Sequence, residues 1–462
     1  MNKALDKIIT VGLLVMVAFT ALAFGTVEPW SIAVFELGVT VLLLLWAVKA
    51  VSDRRLKINV PSVALPLILF VALGLIECVS FTAADGSRSS LSMDVEATRS
   101  TVIVLIILLA SFIIAANFFA SRERLGTLAS FLIIFGVALS LFGLLQYFAS
   151  ETYIYGFRPM KKNQGFGPFI NRNHFAGYME MLIPVPLSLI VARAVHKQSW
   201  VFYGFAAAIM GLGVVTSLSR GGILSLMAGL LFIAAASSLL RKNRPPKGFE
   251  QGRSASIVKR FAAVAAVAAT IIVGVVWIGA EDVIRRTAET VDQARSSEEA
   301  YSSRKWIWKD TWKMVLAYPV LGVGIGAYET VFPAFASGGE SRVRVDFAHN
   351  DYLQVLADAG IVGGLLALWF IYLIARAVLR GLRDPDPLRA AMAMAAGAGI
   401  FSILVHSLFD FNLQIPSNSL LFLLLSAVAS YAGAGADRES ARPALKQTAS
   451  SDASPLATGA SL

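Results

Sequence analysis

The stretch D-F-A-H-N-D-Y-L-Q-V-L-A-D-A-G-I-V-G-G, which spans Asp346–Gly364, shows how this chain is organised. Asn350 is a favourable N-cap residue, and the apolar residues after it recur at helical spacing. Gly360 is expected to end this short helix. From residue 361 to residue 379 the chain is apolar over a length that suits a membrane-spanning helix. The pattern therefore places the imidazole of His349 at a membrane surface, beside the start of a helix.

Two interpretations of His349 stay open at this point. Histidines next to a helix cap are commonly solvated side chains without a special role. An imidazole beside Asn350 and Asp351 at a membrane surface is, however, also well placed for chemistry, because imidazole groups exchange protons near neutral pH.

The composition is that of a polytopic membrane protein. Of the 462 residues, 56% are hydrophobic and only 15% are charged, and the mean hydropathy is +0.69. Backbone groups in lipid must pair within the chain, and the apolar runs lack strand alternation, so we expect helices. The single cysteine, Cys78, excludes an internal disulfide and a thiolate metal cage. The net charge of +10 does not indicate a nucleic-acid partner, because the basic residues cluster in loops and set orientation there.

The apolar runs predict an all-α polytopic membrane protein with about twelve transmembrane helices. The predicted spans are residues 8–26, 30–50, 60–81, 98–120, 126–148, 175–195, 199–217, 223–240, 261–279, 361–379, 388–409 and 415–431. Alternate loops are basic, most of all residues 241–260, which places those loops and both termini in the cytoplasm. A long loop, residues 280–350, then lies outside. Its tryptophan-rich segment at residues 304–312 predicts short interfacial helices.

Several ionisable residues lie in the outer half of the predicted spans. Such groups are costly in lipid and usually face a cavity or a partner. Each one alone is explained by a buried ion pair, but six on one side predict a polar, outward-facing cavity. They are Glu36, Glu77, Glu180, Arg220, His406 and Asp410.

The outer surface also carries more positive charge than membrane insertion favours. The outer basic residues are Arg158, Lys161, Lys162, Arg172, Arg220, Arg304, Lys305, Arg342 and Arg344. An anionic substrate at the outer leaflet would explain them, although contact with lipid headgroups is the alternative for the loop lysines. Arg220 is the clearest candidate, because Ser219 and two glycines beside it permit close backbone approach at a helix start. Arginine also suits phosphate, since its planar guanidinium binds two oxygens at once.

Only four histidines are present, and His174 and His349 are the two on the predicted outer surface. The sequence contains no H-E-x-x-H motif and no other paired ligand spacing, so we expect neither a metal site nor a cofactor. A histidine beside carboxylates and arginines suits general base catalysis better.

Three motifs, in this order along the chain, resemble the O-antigen ligase and O-antigen polymerase superfamily. They are S-R-G-G at Ser219–Gly222, R-K-W-I-W-K…Y-P-V-L-G-V-G-I-G-A-Y at Arg304–Tyr328, and H-N-D-Y-L-Q at His349–Gln354. The segments N-R-N-H-F-A-G-Y and H-S-L-F-D-F-N-L-Q agree with the resemblance. It covers roughly residues 163–425, whereas the first five predicted spans match only in being apolar.

The resemblance implies a metal-independent, inverting glycosyltransferase of the bacterial inner (cytoplasmic) membrane, with its active site facing the periplasm. Such an enzyme moves a glycan from undecaprenyl diphosphate to an acceptor hydroxyl, on a lipid A core or on a lipid-linked glycan. By position, His349 would be the catalytic histidine. The diphosphate would be bound by Arg220, Arg304, Arg172 and Arg158. The supporting cavity would contain His174, Glu180, Asn350, Asp351 and Asp410.

The same resemblance suggests a division into three parts. Residues 1–148 are N-terminal transmembrane helices. Residues 149–436 form an O-antigen ligase-like catalytic membrane region that includes the periplasmic loop 280–350. Residues 437–462 form a cytoplasmic tail, which its Ala- and Ser-rich composition predicts to be disordered.

Several functions remain open within and beyond this family. A ligase is favoured slightly over a polymerase that joins lipid-linked repeat units of O-antigen or exopolysaccharide. A protein O-oligosaccharyltransferase ranks third, because residues 281–348 show no large extra domain for a protein acceptor. A polysaccharide transporter would be expected to show repeat symmetry and basic residues along a whole path. A purely structural membrane scaffold would not need the buried charges.

Overall fold

Helices dominate the fold. The computed structural model describes residues 2–55, 58–82, 88–149, 152–160, 164–242, 304–337 and 344–451. The helices before residue 243 are α1 (Asn2–Leu22), α2 (Pro29–Ser52), α3 (Ala64–Glu77), α4 (Val95–Phe118), α5 (Arg122–Phe148), α6 (Arg172–Leu182), α7 (Pro184–Val191), α8 (Trp200–Thr216) and α9 (Arg220–Lys242). Those after residue 303 are α10 (Arg304–Ala317), α11 (Tyr328–Val331), α12 (Asp351–Gly381), α13 (Pro387–His406) and α14 (Pro416–Ser451).

The lengths and compositions of these helices confirm an all-α polytopic membrane protein. Within the described segments, nine helices are long and apolar enough to cross a membrane, with α6 and α7 taken together as one of them. The span predicted at residues 261–279 lies outside the described residues, and the last predicted span corresponds to the first half of α14. The count of twelve spans therefore stays a prediction.

The third predicted span, residues 60–81, is wrong in extent. Helix α3 has only 14 residues, fewer than the roughly 20 that cross a bilayer. Its last residue, Glu77, accepts a hydrogen bond from the backbone N–H of Ile325 at 2.8 Å, and the Glu77 carbonyl accepts one from Ser92 at 3.2 Å. These contacts turn the chain away from the helix axis, into a short strand.

The loops contain two small antiparallel hairpins that the all-α prediction did not anticipate. Strand β1 (Ser80–Thr82) pairs with β2 (Arg88–Ser90), and β3 (Tyr153–Ile154) pairs with β4 (Arg158–Pro159).

The sixth predicted span, residues 175–195, is divided into two helices. Pro184 begins α7 directly after α6, because a proline cannot continue the hydrogen bonds of the preceding helix.

The segment between residues 304 and 357 has an apolar core of its own, which we call the outer core. It lies apart from the main core of the helix bundle. Its buried members are Ile307, Met314, Val315, Val323, Ala327, Tyr328, Phe332, Ala348 and Ala357. Helix α10 therefore packs on the protein through one face, while Trp312 on this helix is exposed. A helix at the tryptophan-rich segment is confirmed, and its place at the membrane interface stays a prediction.

Gly360 divides α12 into two helical parts, as the sequence predicts. Its backbone angles are φ +59° and ψ −158°, a region that is open in practice only to glycine. The kink lets the chain approach another backbone closely, since the N–H of Ile361 donates to the carbonyl of Pro319 at 2.9 Å. A Cβ atom on Gly360 would clash with the carbonyl of Val320.

The C-terminal helix extends into the tail predicted at residues 437–462, and the disorder of that tail stays a prediction. Helix α14 continues to Ser451, well past residue 437, where the tail was predicted to begin. Residues 452–462 lie outside the described residues.

We expect Gly360→Ala to destabilise the protein by at least about 1–3 kcal/mol, because alanine must adopt a glycine-only conformation against a carbonyl. The measurement is the melting temperature of the detergent-purified chain. Gly364→Ala is the matched control, since Gly364 lies on the same helix and an added Cβ would meet only the flexible Leu356 side chain, at 3.0 Å. Equal melting temperatures for the two variants would contradict this account of the kink.

Candidate functional site

The carboxylate of Asp410 lies at the centre of the candidate site. It follows α13, and only 1% of the side chain is exposed. Its Oδ1 lies 3.2 Å from Nδ1 of His349 and accepts from the N–H of Phe411 at 3.0 Å. Its Oδ2 accepts from Nδ2 of Asn173 at 2.5 Å and from Nη2 of Arg304 at 3.2 Å. Each oxygen thus has two partners, which is how a buried charge is tolerated.

These partners also fix the ionisation of Asp410. Burial alone would raise the pKa of this carboxyl group, but the hydrogen bond from His349 and nearby positive charge, including Arg304, hold the pKa below its ordinary value. An ionised carboxylate at Nδ1 favours the tautomer of His349 that carries its proton there. The other ring nitrogen, Nε2, is then the basic one. Since 33% of the His349 side chain is exposed, this nitrogen can meet a ligand.

The backbone holds His349 in an uncommon conformation. Its φ is +51°, in the left-handed region that only a few per cent of residues other than glycine occupy. On one side, the N–H of Ala348 donates to Oε1 of Gln354 at 2.8 Å. On the other, Oδ1 of Asn350 caps α12 by accepting from the N–H of Tyr352 at 3.0 Å, which confirms Asn350 as the N-cap. Backbone strain of this kind concentrates at functional sites.

Asp351 has a structural role rather than a contact with His349. Its Oδ2 accepts from Oγ of Ser407 at 2.7 Å and from the N–H of Leu413 at 3.1 Å. Its own N–H donates to the carbonyl of Ser407 at 2.9 Å. Asp351 therefore ties the start of α12 to the loop that carries Asp410.

Aromatic rings complete the surroundings of His349. The ring of Phe411 makes edge contacts with His349, at 4.8 Å between centroids, and with His174, at 4.9 Å. Phe347 stacks on the same Phe411 ring at 4.5 Å. His174 is buried, so it lies within the wall of the site and is not displayed at its surface.

Arg220 begins α9, three residues before the start predicted for this span. The residue before it, Ser219, caps the helix, because its Oγ accepts from the N–H of Gly222 at 3.2 Å. The Arg220 side chain is exposed, and it stands at the positive end of the helix dipole, where anions bind. The neighbouring Gly221 packs against His406, which ends α13 directly before the loop that carries Asp410. Arg220 and Asp410 therefore belong to the same end of the helix bundle.

The other predicted arginines differ in their surroundings. Arg304 pairs with Asp410, although 44% of its side chain stays exposed. Arg172 begins α6, directly before Asn173, and its N–H donates to the carbonyl of Gln164 at 2.6 Å. Arg158 instead pairs with Glu28 at 2.6 Å and lies 4.8 Å from the centre of the Phe24 ring. Lys161, Lys162 and Arg342 lie outside the described residues.

The six ionisable residues that were expected to share one cavity are divided between different places. Glu180 and His406 form a buried pair near Asp410 and Gly221. Glu77 instead contacts the loop after α10, where it accepts from the N–H of Ile325. Glu36 lies half-buried on α2, which packs on α1 and α4. The prediction of a single cavity is therefore wrong for Glu77 and Glu36.

Sequence reasoning missed two residues of the site. Asn173 and Phe411 both contact Asp410, and Phe411 also orients two imidazoles. Both lie inside motifs that the resemblance had drawn attention to, N-R-N-H-F-A-G-Y and H-S-L-F-D-F-N-L-Q. The two motifs could therefore have indicated these residues, but the spacing within the motifs did not show which side chains contact Asp410.

The glycine-rich loop supports the start of α12. Gly322, Gly324 and Gly326 have φ values of +74°, +110° and +85°, which a residue with a side chain rarely adopts. The N–H of Val323 donates to the carbonyl of Ala357 at 2.9 Å, and that of Gly324 donates to the carbonyl of Asp358 at 3.0 Å. These bonds fix the first part of α12, and with it the position of His349.

A mostly apolar cavity of about 250 Å³ lies beside the site. Its walls come from α3, α4, α12, α13 and α14, and its few polar groups include Asp351 and Ser407. The two residues also bond to each other, so one end of the cavity reaches the loop that carries Asp410. Such a lining suits a hydrocarbon chain.

Two comparisons bear on this site. Residues 205–368 match a family model described as O-Antigen ligase. The matched range begins within α8 and ends within α12, so it contains Arg220, Arg304 and His349 but not Asp410. No curated protein matches the chain. In the part of the chain that the structure describes, no group of three or more His, Cys, Asp or Glu side chains has the arrangement of a metal site.

We expect Asp410→Asn to lower the melting temperature of the detergent-purified chain at pH 7. A carboxyl whose pKa is lower in the folded chain contributes stability that is complete above the unfolded value, about 3.9, and is lost as pH falls toward the folded value. The difference between wild type and variant should therefore be largest at pH 7 and smallest near pH 3.

The matched control for this measurement is Asp346→Asn. Asp346 forms an exposed ion pair with Arg344, and pairs of this kind contribute at most about 1 kcal/mol. We expect little change in its melting temperature at either pH. A destabilisation by Asp410→Asn that stays constant from pH 7 to pH 3 would show that the charge of Asp410 is not what stabilises this loop.

Proposed function

We propose that the chain, whose residues 205–368 match the family model described as O-Antigen ligase, is an O-antigen ligase-like membrane glycosyltransferase. It moves a glycan from undecaprenyl diphosphate to an acceptor hydroxyl, foremost on a lipid A core, at the periplasmic face of the bacterial inner membrane. The main support is the pair of His349 and Asp410. It joins a partly exposed imidazole to a buried carboxylate at the end of the bundle where Arg220 begins α9.

In the proposed reaction, Nε2 of His349 takes the proton of the acceptor hydroxyl while the hydroxyl oxygen attacks the anomeric carbon of the donor. The new C–O bond forms as the bond to the diphosphate breaks, so the configuration at that carbon inverts. The electron pair of the broken bond leaves with the diphosphate. Asp410 holds the ring and stabilises the imidazolium that forms, and the proton later passes to solvent.

The charge that grows on the departing diphosphate needs fixed positive partners. Arg220 is suited to this role, because a guanidinium at a helix N-terminus adds its own charge to that of the helix dipole. Arg304 commits one donor to Asp410, but a guanidinium has five N–H donors and can bind phosphate oxygens as well. Since a diphosphate is a good leaving group and the arginines neutralise it, the proposed mechanism is metal-independent.

The lipid part of the donor also has support. The apolar cavity beside Asp351 is of a kind that accepts a hydrocarbon chain, as a lipid-linked substrate requires. Arg158 contributes less than expected to this picture. The guanidinium of Arg158 pairs with Glu28 and not with Asp410, so Arg158 is a weaker candidate for a diphosphate ligand.

The acceptor divides the family into alternatives that share the same donor chemistry. We favour the ligase, because the matched family model is described as O-Antigen ligase. A polymerase that extends lipid-linked repeat units is the second candidate. A protein O-oligosaccharyltransferase is the third, and a polysaccharide transporter is the least favoured, because the His349–Asp410 pair has no role in simple transport.

We expect deletion of the gene to leave full-length polysaccharide on undecaprenyl diphosphate, while wild-type protein restores its transfer to lipid A core. His349→Ala and His349→Gln should fail to restore transfer, because neither residue accepts a proton. General acid–base groups contribute about 10²–10⁴-fold, so residual activity should be small. The measurement is gel analysis of lipopolysaccharide and of extracted carrier-linked glycan, with each variant quantified in the membrane.

His196→Ala is the matched control for these variants, since His196 is an exposed histidine in the connection before α8. It should restore transfer fully. Normal transfer by His349→Ala would remove His349 from the mechanism. If the deletion strain accumulates only single repeat units, the ligase assignment is wrong and the polymerase takes its place.

The orientation in the membrane has a direct test. In a Cys78→Ser background, Arg344→Cys should react from the periplasm with a membrane-impermeant thiol reagent, and Arg55→Cys should not. Both positions are exposed, so access depends on the side of the membrane alone. Labelling of Arg55→Cys, with Arg344→Cys protected, would place the site on the cytoplasmic side and refute the proposed location.

A further inference from the structure

The buried pair of Glu180 and His406 has no part in the mechanism above. Nδ1 of His406 lies 3.2 Å and 3.1 Å from the two carboxylate oxygens of Glu180. The two side chains are 1% and 0% exposed, and each lies on a helix that qualifies as a membrane span. Ionisable groups inside a membrane are costly and seldom kept without a function. Contact with both oxygens also fixes the orientation of the imidazole ring.

The opposite edge of the His406 ring faces the start of α9. A Cβ atom added to Gly221 would lie 2.8 Å from Cδ2 and 2.8 Å from Nε2 of His406. Any side chain at this position would therefore displace either the ring or the helix. Because Gly221 directly follows Arg220 and shares the turn capped by Ser219, the ring determines where this turn sits.

The backbone of His406 contacts the other half of the site. Its carbonyl accepts from the N–H of Phe409 at 2.8 Å and from the N–H of Asp410 at 3.1 Å. These two bonds fix the backbone of the loop from which Asp410 bonds to His349. His406 thus contacts both the loop of Asp410, which is the partner of His349, and the turn that carries Arg220.

We propose that Glu180 and His406 are positioning residues that set the guanidinium of Arg220 relative to Asp410. Glu180 orients the imidazole, the imidazole supports the turn Ser219–Gly222, and the His406 carbonyl holds the Asp410 loop. The inference rests on the proposed function in one respect, namely that Arg220 binds the diphosphate of the donor. Neither Glu180 nor His406 touches the substrate in this scheme.

The same two helices offer a matched control. Four residues before His406 on α13, Ser402 packs against Gly229 of α9 in the same way that His406 packs against Gly221. Ser402 is equally buried, and its hydroxyl has no hydrogen-bond partner among the described residues. A change at Ser402 therefore disturbs the packing of α9 on α13 without affecting the Arg220 turn.

The test measures binding of glycan-free undecaprenyl diphosphate to the detergent-purified full chain, by the quenching of its tryptophan fluorescence. Arg220→Ala defines the contribution of the arginine. We expect His406→Asn and Glu180→Gln each to weaken binding by about tenfold, and Ser402→Ala to leave it unchanged. In the Arg220→Ala background, His406→Asn should cause little further loss, because the residue acts through Arg220.

The double variant, His406→Asn with Arg220→Ala, separates positioning of Arg220 from a general disturbance of the fold. An equal loss from His406→Asn with and without Arg220 would mean that the pair acts independently of the arginine, and would overturn the inference. Unchanged binding by both His406→Asn and Glu180→Gln would overturn it as well. If Arg220→Ala itself binds like wild type, the diphosphate site of the proposed function is wrong, and the inference falls with it.

A second variant keeps the test informative if His406→Asn fails to accumulate. Gly221→Ala leaves both ionisable residues in place but forces the ring and the turn apart, so it should weaken binding as His406→Asn does. Gly229→Ala, its counterpart beside Ser402, should bind like wild type. Equal binding by these two glycine variants would overturn the inference.

Discussion

The structure depends on one buried negative charge and on what is needed to keep it there. Asp410 is almost fully buried, and an unpaired carboxylate in such a place would cost several kcal/mol. Its partners come from separate parts of the chain: the start of α6, the start of α10, and the residue before the N-cap of α12. Satisfying this charge therefore requires these segments to meet at one end of the bundle.

This requirement links stability to function. The donors that stabilise Asp410 include the imidazole proposed to act as general base and an arginine proposed to contact the diphosphate. A carboxylate that keeps its charge also keeps the neighbouring ring in one tautomer. The outer core and the glycine-rich loop add rigidity, because they hold the first part of α12 and leave His349 little freedom to move.

The features that were predictable from sequence are those governed by neighbours along the chain. The N-cap at Asn350, the break at Gly360, a helix start close to Arg220 and the helical, membrane-spanning character all follow from local patterns. The contacts of Asp410 were not predictable, since its partners lie 61, 106 and 237 residues away. Apolar runs indicate the depth of an ionisable residue in the membrane, but not the direction its side chain takes. The sequence therefore did not show that Glu77 contacts the loop after α10, or that Arg158 pairs with Glu28.

The order of the partners along the chain has a consequence for biosynthesis. Asn173, Arg304 and His349 all precede Asp410, so the ribosome adds the acid after each side chain that will neutralise it. A growing chain with this order contains the donors of the site before it contains the charge that needs them. The buried carboxylate of Asp410 is thus synthesised only after the side chains that bind it.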